Sequence, residues 1–134
     1  MMITRRNRLA WVLRTGNNMP AKILLVEDNL WNLACLLRQE GHEVEEASNG
    51  NGAVQLLDEN EFDLVLSDVV MPGPSGFHLL QHARLIAPRT PVLLMSGFFL
   101  DPRQILKKGA TDFIMKPFEL NDLLSKIKRA LECQ

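Results

Sequence analysis

The fold reading turns on DLVLSDVVMPGPSG, residues 63–76. Read with Phe62, its apolar part forms a strand over Phe62–Leu66 that ends in two polar residues, Ser67 and Asp68. Downstream, Leu79, Leu80, Ala83 and Ile86 recur at helical spacing, and that pattern stops before Pro88. Strand, polar strand end and helix make one unit, and the unit recurs along the chain. Ile23–Val26 is a continuous apolar run, as expected of a strand buried on both faces. Leu30, Leu33, Ala34 and Leu37 follow it at helical spacing, with Gly41 as the residue past the helix end. Val44–Ala47 is the next strand, and Asn49 caps a helix that buries Ala53, Val54 and Leu57. After Pro88 come a strand over Val92–Met95 and a short helix opened by Asp101 and Pro102 that ends near Gly109. A strand over Thr111–Met115 and a last helix lined by Leu120, Leu123, Leu124, Ile127 and Leu131 complete the series. Five strands alternating with five helices on short loops predict a doubly wound α/β fold, a parallel sheet covered on both faces.

The chain has 134 residues, 46% hydrophobic and 23% charged, which suits one domain with one sheet-based core. The formal net charge of −1 gives no overall pull toward nucleic acid or anionic lipid. Residues 1–20, however, carry Arg5, Arg6, Arg8 and Arg14 and no acid, whereas residues 21–134 carry 11 Lys+Arg against 16 Asp+Glu. This asymmetry divides the chain into a basic extension, residues 1–20, and an acidic domain, residues 21–134. Asn17, Asn18 and Pro20 break any helix begun at Leu9–Leu13, so composition favours a disordered tail or an upstream start codon before Met19. A short basic amphipathic helix that touches a partner is the alternative. Cys35 and Cys133 match no metal or redox spacing, and Cys35 reads as a small buried helix residue. No apolar run is long enough to cross a membrane, and no secretion signal opens the chain, so a cytoplasmic protein is expected.

Ligands of doubly wound sheets gather beyond the carboxyl ends of the strands. Here those ends carry Glu27 and Asp28, Ser67 and Asp68, Ser96 and Gly97, and Lys116 and Pro117. Carboxylates that converge repel one another unless a hard cation joins them, and Mg²⁺ takes oxygen ligands. A carboxylate can attack phosphorus to form an acyl phosphate. An ammonium and a hydroxyl can hold the equatorial oxygens of a transferred phosphoryl group, and Gly97 leaves room for it.

The runs ILLVEDN, DLVLSDVVMPGPSG, VLLMSG and GATDFIMKPF, in this order over roughly residues 21–132, closely resemble response-regulator receiver domains of two-component signalling. The resemblance implies a flavodoxin-like fold with strand order 2-1-3-4-5. It implies Asp68 as phosphoacceptor. It also implies Asp28, Asp68 and the backbone carbonyl of Val70 as Mg²⁺ ligands, with Glu27 joining directly or through water. Ser96 resembles the switch hydroxyl, Lys116 the phosphate-binding lysine and Phe113 the switch aromatic, and the Lys116–Pro117 bond is expected to be cis. Glu27 stands where aspartate is more usual, and Val70 and Phe98 occupy positions that are often polar. The interval from Ser96 to Lys116 is slightly shorter than in the family, mostly in the helix between them.

Each assignment has a plainer reading. Glu27 and Asp28 sit where Asp28 or Asn29 would cap the first helix of the series, a role compatible with metal binding. Phe113 fits a core position as well as a switch. His78 and His82 are spaced to chelate a metal, but with no third ligand a solvated pair is expected. Trp31 reads as a partly buried packing residue. Lys126, Lys128 and Arg129 suit a solvated helix end, with a partner surface as the alternative.

The function expected is that of a stand-alone, non-enzymatic phosphoacceptor. Its donor would be a histidine kinase or histidine phosphotransfer protein, and its output an unknown target protein or its own dimer, with no nucleic acid or membrane contact. A domain of a hybrid kinase or larger regulator is the second reading. A hydrolase with an aspartyl-phosphate intermediate is the third. Such enzymes place an acid two residues after the nucleophile, where this chain has Val70.

Overall fold

The computed structural model describes residues 8–16, 19–27, 32–98 and 100–132. A helix α1 (Arg8–Thr15) precedes the alternating series β1 (Lys22–Val26), α2 (Leu33–Gln39), β2 (Glu43–Ala47), α3 (Gly50–Glu59) and β3 (Leu64–Asp68). The series continues through α4 (Gly76–Ile86), β4 (Val92–Ser96), α5 (Pro102–Lys107), β5 (Asp112–Met115) and α6 (Leu120–Glu132). The strands form one parallel sheet in the order β2-β1-β3-β4-β5.

Successive side chains of a strand point to opposite faces, so each apolar run feeds two cores. Ile23, Leu25, Leu64, Leu66, Leu93, Met95 and Ile114 pack with Leu33 and Leu37 of α2 and Leu123, Ile127 and Leu131 of α6. Leu24, Val26, Val65, Val92 and Leu94 pack on the other face with α3, α4 and Ile105 of α5. The central strands β3 and β4 are buried at every position, as their lack of alternation demands.

Helix ends follow local chemistry. Asn49 accepts from Gly52 N–H at 2.8 Å, Ser75 accepts from His78 N–H at 3.3 Å, and Asp101 caps α5 with Pro102 behind it. Gly41 and Gly109 follow α2 and α5 with φ of +95° and +102°, the left-handed backbone that glycine adopts without a Cβ penalty. The cap of α2 is Asn32, which accepts from Cys35 N–H at 3.3 Å. Asp28 and Asn29, expected as caps of this helix, lie outside the described residues, as do Leu30, Trp31 and Cys133. Cys35 is half-buried.

Two expectations are corrected. The third strand runs Leu64–Asp68 rather than Phe62–Leu66. Asp63 uses its carboxylate to accept the Lys22 N–H at 2.8 Å, and the regular ladder begins only after it. Ser67 and Asp68, too polar for the apolar pattern, pair with Val26, Leu94 and Met95 in the ladder. The basic extension is also not wholly without structure, since Arg8–Thr15 form α1.

None of the described side chains of α1 belongs to either core cluster, and Leu13 is 77% exposed. A chain beginning at Met19 is therefore expected to keep its melting temperature to within about 5 °C, a shift worth roughly 1 kcal/mol in so small a domain. A larger fall in a thermal melt would show that residues 1–18 stabilise the body.

Candidate functional site

Three strand ends meet at one cleft of about 300 Å³, lined by Asp68, Val70, Met95, Ser96, Gly97, Phe98 and Lys116. Asp68 ends β3 and is only 5% exposed. Lys116 follows β5, two strands away, and its Nζ stands 2.5 Å from Asp68 Oδ1. The ammonium neutralises a carboxylate that burial would otherwise disfavour. Ser67 donates its hydroxyl to the Asp68 carbonyl at 2.9 Å, which fixes the backbone at the strand end.

Ser96 ends β4 and is buried. Its Oγ donates to the Phe98 carbonyl at 3.0 Å and accepts from the Phe98 N–H at 3.1 Å, so the hydroxyl is folded onto its own loop. Gly97 opens this wall, because a Cβ there would meet nothing within 4 Å. The side chains of Val70 and Phe98 are 62% and 56% exposed at the rim.

Glu27 follows β1, and its N–H donates to the Ala47 carbonyl at 3.1 Å. Val26 pairs with Ser67, so Glu27 and Asp68 each follow that pair by one residue, Glu27 just past the end of β1. Asp28 lies outside the described residues. Phe113, in β5, packs against the core on the α3–α4–α5 face and does not line the cleft. The Lys116–Pro117 bond is cis.

The described donors at the cleft are of the oxygen type that Mg²⁺ takes. Asp68, the backbone of Val70 and Glu27, one residue past β1, offer oxygen donors, the preference of a hard cation. His82 Nε2 lies 2.6 Å from Asp58 Oδ1 on α3, and no group of three or more candidate ligands occurs among the described residues.

The model of the response regulator receiver domain matches residues 23–128, and the chain belongs to that family. It is thus a receiver domain of two-component signalling with the flavodoxin-like fold. It is 39% identical to the response regulator protein FleR of Pseudomonas aeruginosa, over 83% of this chain and 24% of that protein. It is 36% identical to the transcriptional regulatory protein TcrA of Mycobacterium tuberculosis, over 84% of this chain and 47% of that one. The chain therefore spans less than half the length of either relative. The chemotaxis response regulator CheY4 of Vibrio cholerae superposes with a TM-score of 0.75 at 30% identity, covering 84% of this chain and 99% of that one.

Proposed function

We propose that this receiver domain takes a phosphoryl group from a phosphohistidine donor onto Asp68, with Mg²⁺, and passes the signal on by protein contact. The observation that carries the reading is the ion pair between Lys116 and Asp68 in a cleft that also holds Ser96. An Asp68 oxygen would form a bond to phosphorus as the donor's P–N bond breaks and the imidazole leaves. Lys116 would turn from the Asp68 oxygen to the phosphoryl oxygens, and the Ser96 hydroxyl would leave the Phe98 backbone to donate to another of them. Mg²⁺, held by Asp28, Asp68, the Val70 carbonyl and Glu27 directly or through water, would supply positive charge for the oxygens of the transferred group.

Asp68, Lys116 and Ser96 are the reacting and binding residues of this reading, and Phe113 is assigned as the switch aromatic. The donor would be a histidine kinase or a histidine phosphotransfer protein. The output would be a target protein or a homodimer, with no nucleic acid or membrane contacted by this segment. The domain would occupy residues 21–134, with residues 1–20 as an appendage, in the cytoplasm. No described helix is long and apolar enough to cross a membrane. The test is incubation with a small phosphodonor such as acetyl phosphate, followed by intact mass. One phosphoryl group per chain is expected with Mg²⁺ and none with a chelator; uptake that ignores the chelator would sink the metal-assisted reading.

The rim predicts a long signal lifetime. An acyl phosphate is lost when water attacks phosphorus in line with the aspartyl oxygen, and a polar side chain beside that path can position the water. In receivers, the residues two past the phosphoacceptor and two past the switch hydroxyl flank the path. Here they are Val70 and Phe98, both at the cleft and neither able to hydrogen-bond water through its side chain. Val70→Asn, and Val70→Asn with Phe98→Glu, are expected to lose phosphate faster, by up to about tenfold, which needs only about 1.4 kcal/mol in the barrier. Acyl-phosphate decay no faster than in the wild type, with metal binding intact, would refute this role of the rim.

A further inference from the structure

The loop from Val69 to Ser75 leaves the end of β3, and two helices begin against it. Each begins with a glycine. Gly76, the first residue of α4, donates its N–H to the Val69 carbonyl at 2.8 Å. Gly50, the first residue of α3, donates its N–H to the Pro72 carbonyl at 3.2 Å. Neither has the positive φ that would by itself call for glycine, unlike Gly73 in the same loop at +78°. What excludes a side chain at both is space. A Cβ on Gly76 would stand 2.3 Å from the Asp68 carbonyl oxygen and 2.9 Å from the Val69 Cα. A Cβ on Gly50 would stand 2.1 Å from the Pro74 carbonyl oxygen and 2.9 Å from its Cβ. Ordinary contact begins at 3.4 Å, and at both sites the nearest atom is backbone, which cannot swing aside as a side-chain tip would.

We infer that Gly50 and Gly76 are positioning residues for phosphoryl transfer, an inference that rests on the function proposed above. Gly76 lets the start of α4 touch the backbone of the phosphoacceptor itself. Gly50 lets α3 brace the far side of the loop that carries Val70. Together they fix from two directions where the Asp68 carboxylate and the Val70 carbonyl stand. A methyl at Gly76 must push the Asp68 backbone by roughly an ångström, a displacement that can cost a reaction about a hundredfold. A methyl at Gly50 acts one step further away, on the metal-binding end of the loop.

The test compares three single variants of the full chain: Gly76→Ala, Gly50→Ala and Gly109→Ala. Gly109 has φ of +102° and precedes β5 at the opposite rim, so its alanine variant strains the fold without touching the cleft. Each is incubated with acetyl phosphate well below its melting temperature, and the rate per folded molecule is read across a Mg²⁺ titration. At saturating Mg²⁺, Gly76→Ala is expected to react about a hundredfold more slowly than the wild type. Gly50→Ala is expected to need about tenfold more Mg²⁺ to reach its half-maximal rate, with a smaller loss at saturation. Gly109→Ala should lose stability but keep the wild-type rate and Mg²⁺ dependence. Should Gly76→Ala fail to fold, Gly50→Ala carries the test, and adding Pro74→Gly, which loosens the loop, should recover part of its Mg²⁺ response. Glycine variants that match Gly109→Ala in a chain whose wild type is phosphorylated would overturn the inference alone. A wild type that takes up no phosphoryl group would overturn the proposed function and this inference with it.

Discussion

Asp68→Asn and Asp68→Ala are expected to take up no stable phosphoryl group from acetyl phosphate and Mg²⁺, while the wild type takes up one. The loss should be complete, because Asp68 is the one carboxylate among the described residues lining the cleft, and Glu27 and Asp28 are assigned to the metal. An amide at this position keeps the shape but lacks the anionic oxygen that attacks phosphorus. The asparagine variant also tests the ion pair, since it leaves Lys116 without its negative partner 2.5 Å away. Lys116→Ala should slow uptake without abolishing it, because the attacking oxygen is still present and only the cation facing the phosphoryl oxygens is gone. Intact mass spectrometry reads all three. Phosphorylation of Asp68→Ala at the wild-type rate would remove Asp68 from the reaction.

The second large effect concerns the metal. Mg²⁺ is expected to bind in roughly the millimolar range, because few protein oxygens and several waters make a weak site. Asp28→Ala should abolish measurable binding, and Glu27→Ala should weaken it while leaving it detectable. The difference follows from the direct ligation assigned to Asp28 and the direct or water-mediated contact assigned to Glu27. Calorimetry gives the affinities, and Trp31, three residues past Asp28, offers a fluorescence signal. Unchanged affinity in Asp28→Ala would show that the cation site has been drawn around the wrong carboxylate.

The sheet was legible in the sequence because a strand buried on both faces leaves a continuous apolar run, and Ile23–Val26 and Val92–Met95 are such runs. The boundaries of β3 were less so. Hydrophobic pattern reports burial, whereas a strand is defined by its ladder. Phe62 is buried but precedes the ladder, while Ser67 and Asp68 are polar and belong to it. Helix α1 was obscured by its arginines and by the helix breakers that follow it. At the site, the strand-end residues Asp68, Ser96 and Lys116 could be picked out because topology alone sends strand ends to one rim. The fold-back of the Ser96 hydroxyl onto Phe98 could not, since it depends on the path of one loop. The crowding at Gly50 and Gly76 was also hidden. It depends on the path of the Val69–Ser75 loop, and a glycine in a sequence does not reveal whether it serves a turn or a close approach.

The order of the strands leaves β2 at one margin of the sheet, with no further strand beyond it among the described residues, although the Val44 carbonyl accepts from the Arg38 guanidinium at 2.8 Å. An open strand margin is a template on which a second chain can grow, the first step toward fibrils and insoluble polymers. The sequence of β2 is Glu-Val-Glu-Glu-Ala. Two copies meeting margin to margin would bring the exposed Glu43 and Glu46 of each into one seam, with Arg38 already paired to Glu46 within each copy. Mutual repulsion along that seam should keep the margin open yet unused, so a crowded pool of this protein stays dispersed. Replacing Glu43 and Glu46 by threonine, which favours strands and carries no charge, would leave the fold its core and remove this protection.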